Sequence, residues 1–166
     1  MKNQLTKQDM QKIKEEIEHR KLVVRKEALE AVKEARAHGD LSENFEYHAA
    51  KKDKNRNESR IRYLEQMLKN AVLVEDKSRE GEVGLNNIVT VYFEEDQEVE
   101  AFKLVTSIRG NSLENRVSTE SPIGRALLGR KKGERVFVKV GENSGYHLVI
   151  RTIEKTDDES DRIRSY

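Results

Sequence analysis

The chain has 166 residues, of which 38% are charged and 35% are hydrophobic, and its formal net charge is +1 at pH 7. This balance argues against one large apolar core and favours an elongated or two-part molecule with much solvated surface. Because the opposite charges nearly cancel, binding to a nucleic acid would have to depend on local clusters of charge.

Several classes of protein are excluded by what the sequence lacks. It contains no cysteine, which excludes disulfides and thiolate metal sites and fits a reducing cytosol. The N-terminus has no apolar segment of the signal-peptide type, and no stretch approaches the roughly 20 apolar residues that span a bilayer. We therefore expect a cytoplasmic protein.

The first part of the chain predicts one long helix, because no glycine precedes His38 and no proline precedes Pro122. Apolar residues recur there at a spacing near 3.5 residues, and only Arg20 interrupts the series of Met10, Ile13, Ile17, Val24, Ala28, Ala31 and Ala35. This spacing is typical of a coiled-coil seam. Gly39 is expected to end the helix, as glycine does at a C-terminal cap.

A second helical pattern follows the glycine. Its apolar stripe consists of Ala50, Ile61, Leu64, Leu68 and Ala71, with polar Asp53 and Asn57 at intervening seam positions. Two amphipathic helices joined by a short connection are expected to fold back as an antiparallel hairpin. Each arm of roughly 30 residues would be about 45 Å long.

The hydrophobic period changes in the second half of the chain. Residues 88–93, 99–105, 136–140 and 147–153 alternate or are β-branched, which predicts strands, and residues 122–128 predict one short helix that begins with proline. The fold class is therefore α+β in two domains. We place the helical hairpin at 1–76, a small antiparallel-sheet domain at 77–155, and a polar, frayed tail at 156–166.

The connection between the two helices is acidic. Asp40, Glu43 and Glu46 lie three residues apart, and no lysine or arginine occurs between Ala37 and Ala50. Asp40 and Glu43 have the spacing of a capping box for the second helix. Clustered carboxylates also attract Mg²⁺, and two of them could complete a site whose other ligands belong to a partner.

A basic patch follows the acidic connection along the second helix. Its members are Lys51, Lys52, Lys54, Arg56 and Arg60, set against Asp53 and Glu58. Such a stripe is either a solvated helix face or a guide for a phosphate backbone. Beside an acidic tip, the second interpretation predicts contact with RNA.

Two segments make the chain similar to a known family. Residues 39–44 (GDLSEN) with 46–50 (EYHAA) resemble the coiled-coil tip of the bacterial Gre transcript-cleavage factors, and 121–129 (SPIGRALLG) resemble their second signature. The resemblance extends to about residue 155. The chain departs from the family pattern at Phe45, where a small residue is usual, and at Asp9 and Thr106, where glycine is usual.

The resemblance implies a mechanism in which RNA polymerase is the partner. In the family, an FKBP-like C-terminal domain grips the rim of the polymerase secondary channel, and the coiled coil reaches the catalytic centre beside the extruded RNA 3′ end. By resemblance, Asp40 and Glu43 would help to hold a Mg²⁺ shared with the polymerase, and Ser121, Pro122 and Ile123 would contact the polymerase. The factor would act as a monomer, with no tightly bound metal and no nuclease activity of its own.

Three alternatives remain open from the sequence. A Gre-like paralogue could occupy the channel and inhibit the polymerase, although the presence of Asp40 and Glu43 argues against this. An FKBP-like prolyl isomerase or chaperone would need an aromatic pocket, and the aromatic residues of the second half are scattered along the chain. A coiled-coil adaptor would be indifferent to neutralisation of the tip.

Overall fold

The computed structural model describes residues 2–39 and 44–165, which divide into two compact units. Residues 10–72 form most of the first unit, and residues 4–9 together with 73–165 form the second. Residues 4–9, assigned above to the hairpin, and residues 156–165, assigned to a tail, thus both belong to the second unit. No helix in the described ranges is long and apolar enough to cross a membrane.

The first half of the chain is helical, as predicted, but it also contains two short strands that were not predicted, and Ala71 of the predicted helical stripe lies in the second of them. In chain order the elements are β1 (Asn3–Leu5), α1 (Lys7–His19), a π-helical turn (Arg20–Val24), α2 (Arg25–Ala37), α3 (Phe45–Lys69) and β2 (Ala71–Leu73). Strands β1 and β2 pair with each other. The capping box lies at the start of α1: Thr6 Oγ1 accepts from the Asp9 amide at 3.1 Å, and the Asp9 carboxylate accepts from the Thr6 amide at 2.9 Å.

The hairpin of the first unit is antiparallel, as predicted. The contacts between the two arms run in opposite directions along the sequence. Ala35 contacts Asn44, Arg25 contacts Glu58, and Glu16 contacts Arg60. The apolar part of the seam is buried at the end away from the α2–α3 connection. Ile13, Ile61 and Leu64 are at most 3% exposed.

The middle of the seam is polar, and Arg20 is accommodated there by a specific contact. Its guanidinium donates to Asn57 Oδ1 at 3.0 Å, while Asn57 Nδ2 donates to the Arg20 carbonyl at 3.2 Å. Asn57 is 2% exposed. The π-helical turn begins at Arg20, whose carbonyl also accepts from the amide of Arg25. A π-helical turn contains one more residue than an α-helical turn. This one begins at the same residue, Arg20, that interrupts the apolar series of the seam.

The second unit contains a five-stranded sheet in the order β5-β4-β3-β7-β6. Its elements are β3 (Ile88–Phe93), β4 (Glu98–Val105), β5 (Arg116–Ser118), α4 (Pro122–Leu127), β6 (Arg135–Lys139) and β7 (Gly145–Glu154). The prediction of a wholly antiparallel sheet was wrong at one edge, because β5 pairs with β4 in parallel. Strand β5 has only three residues, which is too short for a periodic sequence pattern to predict it.

The core of this unit lies between α4 and one face of the sheet. Its buried residues are Val83, Val89, Val91, Leu104, Leu127, Val136, Val138, Leu148 and Ile150. Three aromatic residues from β3, β4 and β7 meet beside it. Phe93 lies 6.1 Å from Phe102 and 5.7 Å from Tyr146 between ring centroids, and all three pack against the core.

The prediction of a frayed segment from residue 156 was wrong for residues 156–165. Asp158 and Asp161 are 9% and 8% exposed, and Thr156 Oγ1 donates to the carbonyl of Asn86. A polar composition suggested fraying, but these carboxylates are buried because cationic partners are buried with them.

Candidate functional site at the hairpin connection

The connection between α2 and α3 carries the acidic candidates. Asp40 and Glu43, predicted as the metal-binding pair, lie outside the described residues. The structure does describe the two helix ends that flank them. Helix α2 ends at Ala37, and Gly39 has a φ of 130°, which glycine adopts without the strain that a Cβ would bring.

Asn44 caps α3 and ties it to α2. Its Oδ1 accepts from the Tyr47 amide at 3.1 Å, and its Nδ2 donates to the Ala35 carbonyl at 2.6 Å. The N-cap is therefore Asn44, so the prediction that Asp40 and Glu43 form the capping box of this helix was wrong. Asparagine is among the preferred N-cap residues, and its amide group has a donor left over to reach the neighbouring helix.

Two further contacts hold the helix ends together. His38 Nδ1 lies 3.0 Å from Glu46 Oε2, and the Arg36 guanidinium lies 5.5 Å from the centroid of the Tyr47 ring. The hydrogen bond to Glu46, followed by the charge of that carboxylate, raises the pKa of His38 above its ordinary value. Contacts from both sides thus fix the positions where the connection leaves α2 and enters α3.

The contact with His38 also changes which carboxylates are available. Glu46 is the third acidic residue of the connection, and its side chain is already paired. Within the described residues, no group of three or more His, Asp or Glu side chains is arranged to hold a metal ion. Asp40 and Glu43 stay a prediction as Mg²⁺ ligands, because both lie outside the described residues, and two carboxylates alone would bind the ion weakly.

Only part of the predicted basic patch is exposed. Lys51, Lys52 and Arg56 are exposed, Lys54 is half-buried, and a shallow groove of about 400 Å³ runs along Lys51, Lys52 and Arg56. The assignment of Arg60 to this surface was wrong. Its side chain is 3% exposed and its Nε donates to Glu16 Oε2 at 2.8 Å. A cation paired across the hairpin seam stabilises the hairpin and does not face a phosphate backbone.

The candidate docking residues of the second unit lie at the start of α4. Ser121 caps this helix: its Oγ accepts from the Gly124 amide at 3.1 Å and donates to the Ser118 carbonyl at 2.6 Å. Pro122 is exposed at the first helical position, and Ile123 is half-buried against the core. Of the three, only Pro122 is exposed.

Gly124 sets how closely α4 approaches the preceding segment. A Cβ at this position would lie 2.0 Å from the carbonyl oxygen of Ser118 and 2.9 Å from the Cα of Thr119. We expect Gly124→Ala to lower the free energy of unfolding by about 1–3 kcal/mol, because backbone atoms must move apart. Thermal unfolding measures the loss. Gly110→Ala is the control, since its Cβ would lie at an ordinary 3.4 Å from Ser107; equal losses in both variants would contradict the prediction.

Comparison with known proteins assigns the family. A sequence model described as "Transcription elongation factor, N-terminal" matches residues 3–73, and one described as "Transcription elongation factor, GreA/GreB, C-term" matches residues 78–155. The chain belongs to the GreA/GreB transcription elongation factor family. The predicted resemblance is thereby confirmed, and both parts of the Gre pattern are present in one chain.

Individual Gre proteins match over most of their length. The chain is 43% identical to transcription elongation factor GreA of Geobacillus kaustophilus over 81% of this chain and 86% of that protein. It is 39% identical to GreA of Macrococcus caseolyticus over 90% and 94%. Among solved structures, GreA factor homolog 1 of Thermus thermophilus matches at 27% identity with a TM-score of 0.43, over 93% of this chain and 100% of that chain.

The residues that sequence reasoning missed around the connection are Asn44, His38 and Tyr47. Asn44 was detectable, since an asparagine directly before a helical pattern is a start signal. The pairing of His38 with Glu46 was not, because it depends on how the two arms are set against each other.

Proposed function

We propose that this protein binds RNA polymerase and stimulates the polymerase's own cleavage of the RNA 3′ end in backtracked complexes, so that elongation resumes. The observation that carries the proposal is the Gre family match in both parts of the chain. The protein would act as a monomer in the cytoplasm, and the chemistry would take place in the polymerase.

Asp40 and Glu43 are the groups that this chain would lend to the reaction. Both are hard oxygen ligands, and Glu46 beside them is engaged by His38. A Mg²⁺ held jointly with the polymerase would supply charge stabilisation and an activated water for phosphodiester hydrolysis. Because two carboxylates bind Mg²⁺ weakly, the free factor is not expected to cleave RNA.

The hairpin would position these carboxylates through the helix ends that flank them. Asn44 bonds to Ala35, His38 pairs with Glu46, and Arg36 lies over Tyr47, so the ends of α2 and α3 are joined on several sides. Catalytic benefit from a group delivered by one protein to the active site of another depends on such fixed placement. The basic patch, now Lys51, Lys52, Lys54 and Arg56, would guide the extruded RNA.

The second unit would dock on the polymerase. We propose an FKBP-like fold for it, supported by its mainly antiparallel five-stranded sheet with one short helix. The docking residues Ser121, Pro122 and Ile123 would contact the polymerase through exposed Pro122, while the cap formed by Ser121 fixes the start of α4.

The decisive experiment measures RNA cleavage by backtracked polymerase with and without the full-length protein. Faster shortening of the RNA 3′ end, with no cleavage of the same RNA in the absence of polymerase, is expected. Slower cleavage with the protein present would contradict the proposal and support the inhibitory paralogue.

Reversal of the basic patch tests its contact with RNA. We expect Lys51→Glu, Lys52→Glu and Arg56→Glu together to weaken action on extruded RNA, because phosphate contacts become repulsive. Each contact with single-stranded RNA contributes about −0.7 to the slope of log affinity against log salt, so the slope should flatten by about 2. Crosslinking of the RNA 3′ segment to the factor, measured across a salt series, reports the change.

The matched control reverses three exposed lysines on the other arm, namely Lys14, Lys26 and Lys33. It changes the net charge by the same amount without altering the groove beside α3. Equal losses of crosslinking in the two triple variants would show that only total charge matters.

A further inference from the structure

Arg109 is a fully buried cation in the second unit, with 0% exposure. Its Nε donates to Asp9 Oδ1 at 2.7 Å, Nη1 donates to Asp161 Oδ2 at 2.8 Å, and Nη2 donates to Asn86 Oδ1 at 2.7 Å. Asp158 lies 3.8 Å from Nη2. Burying a guanidinium is costly unless it is fully hydrogen-bonded, and here its partners come from three separate segments of the chain.

The acidic partners are themselves satisfied. Thr106 Oγ1 donates to Asp9 Oδ2 at 2.6 Å, Thr6 Oγ1 donates to Asp158, and Lys103 Nζ lies 2.9 Å from Asp161 Oδ2. Across the described residues, no buried side-chain nitrogen or oxygen lacks a hydrogen-bond partner. Burial raises the pKa of Asp161, but hydrogen bonds from Lys103 and Arg109 outweigh this effect and hold the pKa below its ordinary value.

Two departures from the Gre pattern meet in this network. Asp9 and Thr106, which stand where glycine is usual, are bonded to each other, and both are at most 1% exposed. Asp158 and Asp161 lie beyond residue 155, where the family match ends.

The segment after residue 156 also runs along the chain that follows β4. The Arg164 amide donates to the Ile108 carbonyl, and Arg116 Nη2 donates to the Arg162 carbonyl at 3.3 Å. Arg116 Nε donates to the carbonyl of Arg109 itself at 2.8 Å. Residues 107–116 are thus held between β4 and residues 158–164.

From there the contacts continue to the start of α4. Ser107 Oγ lies 2.7 Å from Ser118 Oγ and donates to Glu120 Oε2 at 2.7 Å. The Ser118 carbonyl accepts the hydroxyl of Ser121, which caps α4. The segment fixed by Arg109 therefore leads by direct hydrogen bonds to the docking residues.

We propose that Asp158 and Asp161 form a carboxylate latch on Arg109, which positions residues 107–121 and through them the docking residues Ser121, Pro122 and Ile123. The latch residues are positioning residues and do not touch the polymerase. This inference rests on the proposed function, because its consequence is tighter docking.

The test uses the full chain with Asp158→Asn and Asp161→Asn, singly and together, and Asp157→Asn as the control. Asp157 is an exposed carboxylate in the same segment, so its substitution removes the same charge as each single latch variant without reaching Arg109. RNA cleavage by backtracked polymerase is titrated with each variant. We expect the half-saturating concentration of the double variant to rise about tenfold, with the cleavage rate at saturation unchanged, and that of Asp157→Asn to stay at the wild-type value.

Amide hydrogen exchange of the same proteins separates positioning from general stability. We expect exchange to quicken in residues 107–121 of the double variant, while β3 and the core part of β4 stay protected. Loss of protection throughout the sheet would overturn the proposal, because the latch would then serve only global stability. An unchanged half-saturating concentration despite quicker exchange in 107–121 would overturn it as well.

Failure of the latch and failure of the proposed function give different results. If the wild-type protein does not stimulate cleavage, the proposed function is wrong, and with it the consequence claimed for docking. If the wild type stimulates cleavage and the double variant matches it at every concentration, only the latch is wrong.

Discussion

Asp40→Asn and Glu43→Gln are each expected to lower stimulated RNA cleavage by about 100-fold while leaving the affinity for polymerase nearly unchanged. A metal ligand contributes several kcal/mol of transition-state stabilisation, and each 1.4 kcal/mol corresponds to a factor of ten in rate. Docking is assigned to the second unit, so it should not depend on the tip. The measurement is single-turnover cleavage in backtracked complexes over a range of Mg²⁺ concentrations.

The two substitutions together should cost less than the product of their separate effects, because both carboxylates serve one metal site. Glu30→Gln is the control: it neutralises an exposed carboxylate of α2 that lies away from the connection, and it is expected to stimulate cleavage as the wild type does. Wild-type cleavage by Asp40→Asn or Glu43→Gln at limiting Mg²⁺ would show that the residue concerned is not a ligand.

Arg109→Met is expected to have the largest effect on stability. Removing one partner from a buried ion pair costs about 3–5 kcal/mol, since the remaining charges lose their compensation. Here Asp9, Asp158 and Asp161 would all be left beside an apolar side chain. Chemical denaturation at pH 7 measures the loss, and Arg79→Met, at an exposed position of the same unit, is expected to change little.

The effect should depend on pH in a defined direction. In the wild type, the depressed pKa of Asp161 means that its contribution is present above about pH 3.9 and is lost as the pH falls through the depressed value. In the variant, buried carboxylates without a cation are relieved by protonation. The difference in unfolding free energy between the wild type and Arg109→Met should therefore become smaller as the pH is lowered. A difference that stays constant or widens between pH 7 and pH 4 would contradict this account of the network.

Regular periodicity explains which parts of the fold were predictable. Strands β3, β4, β6 and β7 and helix α4 all fall within about two residues of their predicted bounds, because alternation and an initial proline are local signals. The hairpin was predictable because the spacing of the apolar seam residues is maintained over many residues.

Pairings between distant residues were not predictable in the same way. Arg60 has the same local charge pattern as Arg56, yet it is buried because Glu16 lies opposite on the other arm. The tail appeared frayed because its carboxylates were counted as solvated, whereas Asp161 is held by Arg109. In each case the deciding partner is far away in the sequence, and composition carries no information about it.

At the candidate site, the sequence predicted the acidic pair and the basic patch. It also showed the resemblance of the connection to the Gre tip. The cap formed by Asn44 and the engagement of Glu46 by His38 came only with the structure. These contacts matter because they join the ends of α2 and α3 on either side of the predicted metal ligands Asp40 and Glu43.

The Arg109 network also determines when the second unit can be completed during protein synthesis. Arg109 lies 100 residues after Asp9 and 52 residues before Asp161. At roughly 5–20 residues per second, Asp9 would be synthesised about 5–20 s before Arg109, and Asp161 would follow about 3–10 s later. The helical hairpin, whose partners all lie within residues 10–72, can form in that interval. The unit that would grip the polymerase therefore becomes complete last, after the translating ribosome has passed both ends of the network.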